Sequence, residues 1–137
     1  MKTFAILASL AATALAQNAF VNLPEGKELQ AGDEVTVQVT RPNSLTGSTE
    51  FGIAIGLQTC GEGRCIDSNS VLGLPLYTGP FSPIYHENYN PPYENFTVTI
   101  PETATKGPAV VAVAHAALVG AANWPFFEVV NTTATIV

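Results

Sequence analysis

The 137-residue sequence predicts an all-β protein, a single immunoglobulin- or fibronectin-like antiparallel β-sandwich of about seven strands. Three observations predict it. Glu34-Val-Thr-Val-Gln-Val-Thr40 alternates apolar and polar residues without a break, the period-two signature of a half-buried strand. Other short apolar or alternating runs recur along the chain, each bounded by glycine, proline or asparagine at turn-like spacing. No stretch carries a convincing helical period. A small closed barrel is the main structural alternative.

Residues 1–16 read as an export signal: Lys2 supplies the positive start, residues 4–15 an apolar core, and Ala14-Leu15-Ala16 a small-x-small cleavage site. That apolar run is shorter than the ~20 residues that cross a bilayer. The expected mature domain is therefore residues 17–137, secreted and extracellular, without membrane insertion. Residues 134–137 are far too short for the hydrophobic tail of a lipid-anchor signal.

Ala19-Phe-Val-Asn-Leu23 suits an edge strand stopped by Pro24-Glu-Gly26. After a turn at residues 30–33, Val35, Val37 and Val39 share one face of the second strand, which Arg41-Pro42 ends because proline cannot donate into the ladder. Residues 43–50 form a polar loop. In the next strand Phe51, Ile53, Ile55 and Leu57 are expected on one face, and Gly52, Ala54 and Gly56 on the other. Residues 71–77 make the fourth strand. In the fifth, Phe96, Val98 and Ile100 point inward and Thr97 and Thr99 outward. Residues 109–119 are almost wholly apolar, a buried central strand. Val110, Val111 and Val113, with Pro108 and Gly120 flanking, favour strand over the helix that an alanine-rich run also permits. Residues 126–137 close the fold. Their alternation fails near Glu128, where a bulge or a register ambiguity is expected.

Five basic residues stand against eleven acidic ones, net −6. Without a basic patch to neutralise phosphates, the composition argues against nucleic-acid binding, and anionic membrane surfaces are disfavoured. Cys60 and Cys65, in Cys-Gly-Glu-Gly-Arg-Cys, are expected to form a disulfide, since exported chains meet an oxidising compartment. A zinc site would need two further ligands, and only His86 and His115 are available. His115, inside the apolar strand, reads as a core histidine satisfied by its neighbours. No nucleophile elbow and no placed pair of carboxylates stands out. The reading is thus a non-enzyme with no catalytic residues, no metal and no cofactor. Asn95-Phe-Thr97 and Asn131-Thr-Thr133 are N-glycosylation acceptors.

All four tyrosines and six of the ten prolines lie between Ser70 and Pro101. Such a long aromatic loop is a candidate recognition surface. Phe81, Tyr85, His86, Tyr89 and Tyr93 are the expected partner contacts. The competing reading makes these aromatics a lid over the core. Trp124, beside Pro125-Phe126-Phe127, reads as core or rim.

Ser70-Val-Leu-Gly-Leu-Pro-Leu-Tyr-Thr-Gly-Pro80, Tyr93-Glu-Asn-Phe-Thr-Val-Thr-Ile-Pro101, and Lys106-Gly107 followed by the apolar strand through His115 resemble the necrosis-inducing secreted protein family of fungal effectors. The order matches as well, from export signal through the Ala31-Gly-Asp33 turn to the closing strands. The resemblance implies a non-catalytic suppressor of plant immunity, acting in virulence by binding immune receptor-associated kinases and a cytoplasmic immune kinase. It assigns no contact residues. A monomer with a protein partner is expected. The alternative from another class is a secreted cell-wall or carbohydrate-binding sandwich.

Overall fold

The computed structural model describes residues 18–43 and 47–137. The expected export signal at residues 1–16 and the cleavage point before Gln17 lie outside the described residues, as does the middle of the polar loop at residues 44–46. The described residues form eight strands: β1 (Phe20–Asn22), β2 (Glu28–Leu29), β3 (Glu34–Thr40), β4 (Ser48–Thr59), β5 (Leu74–Gly79), β6 (Tyr93–Thr99), β7 (Gly107–Val119) and β8 (Trp124–Ile136). They make a three-stranded sheet, β1-β3-β6, and a five-stranded sheet, β2-β8-β7-β4-β5. Pairings are antiparallel except for β2, which runs parallel to β8. Among the described residues no helix is long and apolar enough to cross a membrane.

The alternation of β3 and β6 does what it predicts. Val37, Val39, Phe96, Val98 and Ile100 are buried, and they meet Ile53, Ile55, Leu57, Val111 and Val113 of the larger sheet in one core. Each such side chain contributes roughly 1.5–3 kcal/mol by leaving water. β7 is the central strand expected from its composition, paired along its whole length with β8 on one side and along most of it with β4 on the other.

Three features differ from the expectation. β2 is an eighth strand, of only two residues, paired to Thr135 and Ile136. So short a segment has no period to read. β5 begins at Leu74 rather than Val71, because Gly73, at φ 91°, turns the chain so close to β4 that an added Cβ would stand 2.3 Å from the Leu57 carbonyl oxygen.

The third difference concerns phase. β4 starts at Ser48, inside the expected loop, and its register against β7 shifts between Glu50 and Gly52. That bulge reverses the side chains before it. Phe51, expected in the core beside Ile53, is 63% exposed. Glu50 points inward in its place. No bulge lies at Glu128: the β7–β8 ladder runs unbroken, with His115 directly opposite Glu128. The alternation fails there because an inward position carries a charge.

Candidate functional site

β4, β7 and β8 converge on a buried polar cluster. His115 is 2% exposed. Its Nδ1 lies 2.9 Å from Glu128 Oε1, and its Nε2 is bonded to Glu50 Oε2. Glu50 Oε1 accepts from Ser48 Oγ at 2.7 Å and lies 3.8 Å from Arg41 Nη1. Glu128 Oε1 also accepts the Ala19 backbone N–H at 2.7 Å, which ties the start of the described chain to β8. Glu128 Oε2 is buried without a hydrogen-bond partner among the described residues.

Two carboxylates, one imidazolium and one guanidinium cancel in charge. Burial pulls the His115 pKa down, but hydrogen bonds and charge from Glu128 and Glu50 overcome it and raise the value to about 9. Burial likewise works to raise the Glu50 carboxyl; the bonds from His115 and Ser48, with the His115 and Arg41 charges, outweigh it and leave that carboxyl below its usual range. At neutral pH His115 is thus an imidazolium with both N–H groups committed to carboxylates. It keeps no lone pair for a metal or for proton abstraction. The expectation of a satisfied core histidine holds. Sequence reasoning does not reach its partner Glu50, nor Ser48 and Arg41, which hold Glu50 in turn, and the charge interrupting β8 is the visible trace of its other partner, Glu128. Among the described residues no group of three or more His, Cys, Asp or Glu is placed to hold a metal ion.

The aromatic loop leaves β5 at the same end of the molecule, because Gly79 pairs with Ile53 near the start of β4. Phe81 is 3% exposed, which corrects its assignment as a partner contact. It turns back into the core, its ring 6.4 Å from that of Phe96 and 5.5 Å from that of His115, to which it is nearly perpendicular. Phe81 therefore anchors the loop on the buried cluster. Tyr77 also belongs to the core, its ring 4.6 Å from Phe96 and its hydroxyl donating to the Pro80 carbonyl at 2.7 Å.

Beyond Phe81 the loop is clamped at its base. Ile84 and Tyr93 exchange both backbone hydrogen bonds, at 3.2 and 3.1 Å, and the Arg41 N–H donates to the Pro92 carbonyl at 2.9 Å. Pro92 is fully buried. His86 stacks on Tyr93 at 3.9 Å, half-burying the tyrosine beneath it. Tyr85 is 62% exposed and donates to Asn43 Oδ1 at 2.9 Å. Tyr89 is 99% exposed and sits at φ 75°. Of the five expected contacts, the structure presents Tyr85, His86 and Tyr89 to solvent, leaves Tyr93 half-covered and removes Phe81.

The remaining predicted sites lie elsewhere. Cys60 and Cys65 are joined, with Cα atoms 5.0 Å apart, at the opposite end of β4 from the loop. A ring this small contributes roughly 2 kcal/mol by loop-closure arithmetic. Asn95 is exposed on the outer face of the smaller sheet, where Gln38 Nε2 donates to its Oδ1 at 3.2 Å. Asn131 is exposed on the outer face of the larger one.

Comparison with known proteins bears on both fold and family. Two solved structures of the superoxide reductase (neelaredoxin) from Ignicoccus hospitalis, one of them a point variant, share the fold at a TM-score of 0.53 each. They are 14% and 13% identical, with 92% and 94% of this chain covering 86% and 89% of theirs. At such identity the likeness is one of fold alone. In sequence the chain is 31% identical over 134 residues to necrosis-inducing secreted protein 1 of Colletotrichum higginsianum (strain IMI 349063), covering 98% of this chain and 88% of that protein. Residues 14–135 match the Nis1 family. The chain belongs to the Nis1 family.

Proposed function

We propose that this Nis1 family member is a secreted, non-catalytic effector that binds a plant immune receptor-associated kinase, and that the clamped aromatic loop is its recognition surface. Family membership and the relative's printed name support secretion and the effector class. The two sheets then serve as an immunoglobulin-like frame that holds the loop at one end.

One observation carries the assignment of the surface. Tyr89 touches nothing that would require an aromatic, and its positive φ is a conformation that costs a non-glycine residue of order 1 kcal/mol. Neither packing nor backbone preference accounts for a tyrosine there, whereas an external partner does. The loop around it is already ordered by Phe81, Pro92 and the Ile84–Tyr93 bridge, so little entropy is lost on binding. The test is calorimetric titration of the secreted chain into a purified plant immune kinase domain. Saturable binding is expected. Exposed Trp124, at the β7–β8 turn, favours the carbohydrate-binding alternative. Binding to a polysaccharide panel, with no heat for the kinase domain, would establish that alternative instead.

A further inference from the structure

The two sheets present unlike outer faces. Outside the smaller sheet stand Thr36, Gln38, Asn95, Thr97 and Thr99, a polar surface. Outside β4, β7 and β8 no outward position holds an ionisable residue, in a chain of net −6. The floor there is stripped to Cβ atoms or less: Gly52 pairs with Ala116 and Ala54 with Ala114. Phe51 and Phe127, 63% and 68% exposed, rise beside that floor. These six residues form most of the lining of a shallow trough of about 510 Å³.

From this face we infer that the chain self-associates into a weak, two-fold symmetric dimer through the outer surface of the five-stranded sheet. Charge selects the occupant. Two copies of an acidic chain repel wherever their acidic groups approach; across β5, β4, β7 and β8 this face lets them meet with none between them, and Glu28 of β2, beside Thr135, stands at its margin. Shape agrees. The face carries both a ridge, Phe127, and a hollow, the alanine–glycine floor, so a second copy supplies each complement by symmetry. An anionic lipid surface fits poorly against the net charge. A sugar would find no side-chain hydrogen-bonding group on the floor.

Size sets the strength. Four strands spaced ~4.8 Å, over about four outward rows, present roughly 450 Å² per copy, or about 900 Å² for the pair. That falls at the transient end of specific interfaces, so the dissociation constant is expected in the range of ~10 μM to ~1 mM. The inference qualifies the monomer expected from sequence: the dimer forms only on concentration. Asn131 stands on the same face, in the row of Gly56 and Ala112, so a glycan there would cover the trough.

The test is sedimentation velocity on the secreted chain prepared without glycans, from ~10 μM to ~1 mM in physiological salt, which spans the affinities such an area allows. The weight-average mass should rise toward the dimer. Phe127→Asp and Ala114→Arg should each move the midpoint at least tenfold upward. Thr97→Arg, on the polar face, should leave the curve in place. All three sites lie at the surface, and unchanged melting curves will show that the variants are folded. A wild-type chain still monomeric at the highest concentration overturns the inference and leaves the face to a different protein. Dimers unmoved by both face variants overturn it as well, because the contact then lies elsewhere.

Discussion

The protein has two histidines, and they do opposite work. His115 is buried, held by carboxylates on both ring nitrogens, and charged at neutral pH. His86 lies in the solvent-facing loop, its ring flat on Tyr93. Phe81 physically joins the two regions, with its ring perpendicular to that of His115 and its backbone at the root of the loop. The lesson is a division of labour. Polar chemistry is committed to holding the fold beneath the loop, and aromatic surface is left uncommitted above it. A buried ion pair seldom stabilises more than an apolar substitute of the same shape. Breaking one is another matter, and this asymmetry makes the comparison testable.

The largest effect should follow His115→Ala. It leaves Glu50 and Glu128 facing each other without the cation between them, at an expected cost of about 3–5 kcal/mol in denaturant unfolding. A loss under about 1 kcal/mol would mean that the cluster is incidental to stability.

Alkaline pH offers a milder way into the same cluster. The folded His115 pKa is about 9, above its ordinary 6.5. A raised value contributes stability that is complete below pH 6.5 and lost as pH climbs through 9. The loss should be on the order of 2–3 kcal/mol across that window. Glu50 has the opposite sign: its depressed value contributes stability above 4.5 that disappears as pH falls through the lower folded value. Stability should therefore be greatest between about pH 5 and 6.5, and a His115→Gln variant should lose the alkaline slope. An alkaline slope that survives in the variant would assign the titration to another group.

His86→Ala should do much less. Removing one stacked ring from an exposed loop is expected to cost no more than about 1 kcal/mol globally. The loss should appear as faster amide exchange at Ile84 and Tyr93, whose paired backbone hydrogen bonds clamp the loop on which the stack sits. A global destabilisation matching that of His115→Ala would erase the distinction between the two histidines.

How much of this is legible in the sequence follows from the range of each interaction. β3, β6 and β7 announce themselves because alternation and apolar composition are local. The start of β4 misleads. Phe51 looks like a core residue and Glu50 does not, and only the bulge reverses them. The bulge depends on distant groups. Gly52 lies so close to β5 that a Cβ would stand 2.7 Å from the Gly79 carbonyl oxygen, and Glu50 answers His115 from 65 positions away. Periodicity carries no information at that distance. Glu128 is half-legible: its charge breaks the pattern, but a bulge explains such a break as well as a buried partner does. In the loop, composition reveals an aromatic surface and cannot sort its members. Phe81 lacks the hydroxyl of Tyr85 and Tyr89, but Phe51 and Phe127 lack it too and stand exposed, so only the fold shows that Phe81 goes inward to Phe96 and His115.

The most direct test of the account pairs binding with stability in one variant. Tyr85→Ala combined with Tyr89→Ala removes two exposed rings and one exposed hydrogen bond, that of Tyr85 to Asn43. If the loop is the recognition surface, each tyrosine that acts as an anchor should cost about 2 kcal/mol of binding, roughly thirtyfold in affinity for the kinase domain. The melting temperature of the same sample should move by no more than about 2–4 °C. Unchanged affinity in a folded double variant would contradict the account by placing recognition elsewhere. Unfolding of the variant would contradict it differently, by showing that the tyrosines cover the core.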